Sequence, residues 1–237
     1  MTAAPTKSDD PLPIAVFLSG SGRTLANLID HRNHRGLALD IRLVISSRPD
    51  VRGVCIAEEA GITTQVIQKR DFDSAEAFCD AMFDPVRQCR AMYVVMAGYL
   101  CHVLIPNDFT DRVINIHPSL LPAFGGQGMF GRHVHQAVLD RGVRISGCTV
   151  HFVDDIYDHG QIIHQRSCRV LDDDTPDTLA KRVFEQECQA LPEAIAMLPR
   201  LVLDAPGREL CFKSESSPLS RRTSSDDSIA QDCFSLG

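Results

Sequence analysis

Short apolar runs, separated by glycine turns and by amphipathic stretches, set the rhythm of this chain. Ile14-Ala15-Val16-Phe17-Leu18 predicts a buried strand, Ser19-Gly20-Ser21-Gly22 a turn, and Thr24 to Asp30 a helix. The unit then repeats. Strands are expected at Ile41 to Ile45, Gln65 to Ile67 and Met92 to Met96, with helices at Val51 to Ala60 and Ser74 to Val86 between them. Alternation of this kind predicts an α/β fold, a mostly parallel central sheet with helices on both faces. From Arg112 another apolar run leads to a strand at Val113 to His117, where Pro118 cannot donate to a ladder and should end it. Ser146 to Val153 and Gln161 to Val170 flank Asp154-Asp155-Ile156-Tyr157-Asp158-His159-Gly160, the pattern of a hairpin or mixed-sheet extension toward the C-terminus. Thr175 as cap and Pro176 in the first turn open a long helix to about Met197.

A chain of 237 residues can bury one substantial core. Residues 1–12 and 206–237 are expected to be disordered, the latter Ser-rich and too polar to offset the entropy of ordering, leaving a body at 13–205. Arg221-Arg222-Thr223-Ser224 fits a basophilic kinase, although a solvated linker is the stronger reading of such composition. The formal charge of −7 offers no broad basic surface for nucleic acid. The first residues lack the basic-then-apolar order of a signal peptide, and no run approaches the roughly 18 apolar residues of a membrane span. Nine cysteines without a CxxC pair suit reduced thiols, so the expected setting is the cytoplasm, as a monomer or homodimer away from membranes.

Candidate chemistry gathers at three places. The turn Gly20, Ser21, Gly22, Arg23, Thr24 would aim backbone N–H groups from a helix start toward an anion such as phosphate, although its spacing is not GxGxxG and a plain βα connection uses the same residues. A strand period of two places Asn115 and His117 on one face at a carboxyl edge, an amide beside a titratable ring. Asp158 could supply a carboxylate that favours the charged ring, or simply end a turn before Gly160. Such a trio can stabilise a tetrahedral oxyanion and move a proton. His133, His135, His151 and His159 lack the spacing of a metal frame, so no metal is expected. Adjacent Cys101 and His102 point apart in regular structure and are a poor nucleophile pair.

The strings FLSGSGRTLANLID, VVMAGYL, VINIHPSLLPAF and CTVHFVDDIYDHGQIIHQ, in this order from about Ile14 to Leu201, resemble the glycinamide ribonucleotide formyltransferase family of folate-dependent enzymes. The resemblance implies a Rossmann-like formyltransferase fold. It also implies transfer of a formyl group from 10-formyltetrahydrofolate, as co-substrate, to the amine of 5-phosphoribosylglycinamide in purine synthesis. By position it makes Asn115, His117 and Asp158 catalytic, gives the ribonucleotide Gly20 to Thr24 and Glu187, and gives the folate Leu100, Cys101, His102, Val103, Asn115, Val153, Asp154 and Asp155. Arg23-Thr24, Leu100 to Val103, Ala75 and the long loop after SLLP depart from the family's usual residues, and His133 stands roughly where the family has a histidine near substrate. Formyltetrahydrofolate deformylase is the alternative activity and a non-catalytic folate- or nucleotide-binding relative the alternative class. A tRNA formyltransferase would need a basic C-terminal domain.

Overall fold

A computed structural model describes residues 10–198, all within one compact unit. The expected disorder at 1–9 and at 206–237, and the kinase motif of the tail, lie outside the described residues. The sheet has seven strands in the order β3-β2-β1-β4-β5-β6-β7. Its parallel half consists of β1 (Leu12–Leu18), β2 (Leu39–Ser46), β3 (Thr64–Val66), β4 (Tyr93–Met96) and β5 (Val113–His117). The last two strands extend it by antiparallel pairing, β6 (Ile145–Phe152) against β5 and β7 (Ile162–Arg169) against β6. The expected parallel sheet with a mixed extension is therefore the observed fold.

Among the described residues five α-helices cover the sheet: α1 (Arg23–His34), α2 (Arg52–Glu59), α3 (Ala75–Gln88), α4 (Arg132–Arg141) and α5 (Pro176–Met197). Continuous apolar strands such as Ile14 to Leu18 are buried on both sides, as a doubly covered sheet requires. Leu25 and Leu28 of α1, Ala57 of α2, Val138 of α4 and Leu179 and Val183 of α5 pack on one face. Phe78, Met82, Phe83 and Val86 of α3 pack on the other, with Phe83 against Phe17 and Phe109. Sequence reasoning had no helix at Arg132–Arg141. Only Val134, His135 and Val138 are buried there, too sparse an apolar stripe to stand out, and four glycines precede it.

Strand order reverses between β1 and β4, whose neighbours lie on opposite sides. That switch point leaves a crevice beyond the carboxyl ends of the strands, because the following segments diverge to opposite faces. Among the described residues no helix is long and apolar enough to cross a membrane. Seven described cysteines are free thiols, with Cys79, Cys148 and Cys168 buried.

Candidate active site

A cavity of about 790 Å³ occupies this crevice, within the usual size of a small-molecule site. Every expected site residue lines it: Gly20 to Thr24, Leu100 to Val103, Asn115, His117, Val153 to Asp155, Asp158 and Glu187.

After β1 the chain turns through Gly22, whose φ of 70° favours glycine and whose hypothetical Cβ would lie 2.5 Å from Gly53 Cα. Gly22 caps α1 without a side-chain hydrogen bond, so the first N–H groups of the helix face the cavity end without intrahelical partners. Arg23 lays its guanidinium 4.1 Å from the centroid of the Phe184 ring on α5. Arg48, at the end of β2, lines the same end of the cavity and was absent from sequence reasoning. Ser46 fixes its backbone, donating from Oγ to Arg48 O at 2.6 Å and accepting from Arg48 N at 3.2 Å.

Ser19 ties this turn to the opposite wall. Its buried Oγ accepts from the Ser47 hydroxyl at 2.7 Å and from Leu100 N–H at 2.9 Å. The wall beyond, Leu100 to Val103 with Val153 to Asp155, forms a slot whose lip exposes Leu100, Ile156 and Tyr157 by 56, 60 and 50%. Large apolar side chains gathered so openly mark a surface suited to cover by a flat ring. His102 and Tyr157 bring their rings to 5.3 Å across it.

At the floor, β5 presents Asn115 and His117 on one face, as its period requires. The loop after it is pinned onto β6 and β7. Thr149 Oγ1 donates to Ser119 O and accepts from Leu121 N, Gln165 Nε2 donates to Thr149 Oγ1, and Ser119 Oγ donates to Ala123 O. This brings Phe124 O to 2.8 Å from His117 Nε2. On the other side His117 Nδ1 lies 3.3 Å from Asp158 Oδ2, which also accepts from Gly126 N at 2.9 Å. Burial pushes the Asp158 carboxyl up, but the hydrogen bond and charge of His117 and the Gly126 N–H outweigh it and hold the group below the usual range. Asp158 itself adopts a left-handed φ of 55°, an uncommon state for a non-glycine residue that aspartate tolerates.

Glu187 closes the site from α5. Glu187 lines the cavity, and desolvation pushes its carboxyl up to about 7 against the opposing pull of Arg23 and His117. His135, from the unforeseen α4, also lines the cavity, whereas His133 lies in a separate shallow groove against Phe130. His151, weighed in the sequence only as a metal ligand, stands beside Asn115. Among the described residues no group of three or more His, Cys, Asp or Glu side chains is arranged to hold a metal ion.

The sequence pattern of the family described as "Formyl transferase" matches residues 12–195. The chain is 37% identical over 190 residues to the chloroplastic phosphoribosylglycinamide formyltransferase of Arabidopsis thaliana, covering 78% of this chain and 64% of that protein. It is 39% identical over 189 residues to the trifunctional purine biosynthetic protein adenosine-3 of Drosophila melanogaster, covering 78% of this chain and 14% of that protein. It thus spans less than two thirds of either relative. Among solved structures, glycinamide ribonucleotide transformylase 1 of Symbiobacterium toebii superposes with a TM-score of 0.74 at 34% identity, covering 82% of this chain and 90% of that one.

Proposed function

Because the chain belongs to the formyl transferase family, we propose that it moves a formyl group from 10-formyltetrahydrofolate to the amine of 5-phosphoribosylglycinamide, a step of purine synthesis carried out in the cytoplasm. One observation carries this reading: a single cavity joins an anion-receiving helix start to an amide, an imidazole and a carboxylate at the end of β5.

The N–H groups opening α1 would hold the ribonucleotide phosphate, with Arg23 adding a guanidinium braced on Phe184. Glu187, poised near neutrality, would accept a hydrogen bond from the glycinamide amino end. The slot of Leu100 to Val103 and Val153 to Asp155 fits a pterin, with apolar side chains for the ring and main-chain groups for its edge. The folate donor supplies an activated formyl carbon when bound there. Asn115 donates an amide N–H to the developing oxyanion. Both nitrogens of His117 face groups that only accept, the Phe124 carbonyl and the ionised Asp158, so the doubly protonated ring satisfies both. His117 in that form adds charge beside Asn115 and holds a proton for the leaving nitrogen, while Asp158 fixes the ring.

The deciding experiment follows donor consumption with product identification, with and without 5-phosphoribosylglycinamide. Formylated amine should appear only when the ribonucleotide is present. Formate released at an amine-independent rate would make the protein a deformylase instead.

A further inference from the structure

His151 on β6 lies directly opposite Asn115 on β5 and is 2% exposed. Its Nδ1 is 2.8 Å from the carbonyl oxygen of Phe152, an atom that can only accept, so Nδ1 carries a proton. Its Nε2 is 3.3 Å from Asn115 Nδ2 and 3.7 Å from Asp158 Oδ1. Burial holds this imidazole below its ordinary range, reinforced by the charge of His117 and opposed by the Phe152 carbonyl, Asp158 and Asp154, so the ring is neutral at pH 7. A neutral ring protonated at Nδ1 offers a bare lone pair at Nε2. That lone pair can face only a donor, and the orientation of the Asn115 amide follows from chemistry alone.

We propose that His151 is a positioning residue for formyl transfer: its Nε2 lone pair accepts one amide N–H of Asn115 and thereby commits the other to the reacting oxygen. The proposal rests on the reading above for the identity of that oxygen. An amide turned the other way would present its carbonyl oxygen to the site of negative charge and repel it. A proton on Nε2 would force that turn, or would draw Asp158 Oδ1 away from its place beside His117. His151, although it also lines the cavity, therefore acts through Asn115.

Nitrogen NMR of the imidazoles in the unliganded wild-type protein tests the hydrogen bond without any assay of activity. His151 should show a protonated, pyrrole-type Nδ1 and an unprotonated, pyridine-type Nε2 at neutral pH. A ring protonated at Nε2 overturns the proposal, whether or not the protein transfers formyl groups. Kinetics then test the consequence. His151→Phe, which keeps a flat ring but no acceptor, should lower kcat by up to about 100-fold with both KM values within about twofold. His151→Gln, whose amide oxygen can accept from Asn115, should recover part of the loss. An unchanged kcat in the Phe variant, or raised KM values with kcat preserved, would show that the contact does not orient Asn115. Should the variants fail to fold, the wild-type NMR result still decides.

Discussion

Desolvation pushes the Glu187 carboxyl up to about 7, so the folded chain binds this proton more tightly than the unfolded chain does. A carboxyl raised in this way leaves stability untouched below its unfolded value and subtracts from it as pH climbs toward 7. Glu187→Gln should therefore be more stable than the wild type at pH 8 by at most about 3 kcal/mol, a gain that fades by about pH 4, as urea unfolding at the two pH values would record. The same variant should raise the KM for the ribonucleotide, since an amide is a weaker partner for an amine. For His117→Ala the expected loss is about 3 to 4 kcal/mol of transition-state stabilisation in kcat, and a near-normal kcat would remove the ring from the chemistry. Asn115 and His117 were legible in the sequence because a strand's period and a following proline fix their face and their edge. Asp158 was only half legible. Its meeting with His117 depends on the antiparallel return through β6, which residue spacing does not encode. The role of His151 was hidden for the same reason, since cross-strand register decides its neighbour.

At the scale of elements, the start of α5 sets where Phe184 and Glu187 stand. Thr175 accepts from Thr178 N–H, and Asp174 accepts both guanidinium arms of Arg182 at 2.6 and 2.9 Å. The Arg182 hydrogen bond, joined by Leu171 N–H and Thr178, holds the Asp174 carboxyl far below its ordinary range despite the penalty of burial. Stability gained from a depressed carboxyl is present above its unfolded value and is lost as pH falls toward the folded one. Asp174→Asn should accordingly destabilise the protein by about 1 to 3 kcal/mol at pH 7, and by less as pH drops below about 4, in paired denaturation curves. This helix was readable from its cap and proline, and the strands from their apolar runs. Helix α4 was not, because two valines and a histidine carry its buried face and Gly131 opens it without a capping side chain.

Across the described residues, the cavity sits where the strand order reverses, and its walls come from the start of α1, the ends of β4, β5 and β6, and the faces of α4 and α5. A ligand that touches all of them binds the folded chain alone. The ribonucleotide at 100 times its Kd should then add about 2.7 kcal/mol to the unfolding free energy, visible as a raised melting temperature. A melting temperature unmoved by ligand would mean that the ligand does not engage this cavity in the folded chain. Asn27 of α1 donates to Cys188 O of α5 at 2.9 Å, and Arg23 rests on Phe184 beside it. The first and last described helices thus meet beside the cavity. Contacts so distant along the chain form late, because the intervening loop must close first. A nascent chain emerging from its ribosome carries His117 well before it carries Glu187, and the cavity stays incomplete until α5 has followed.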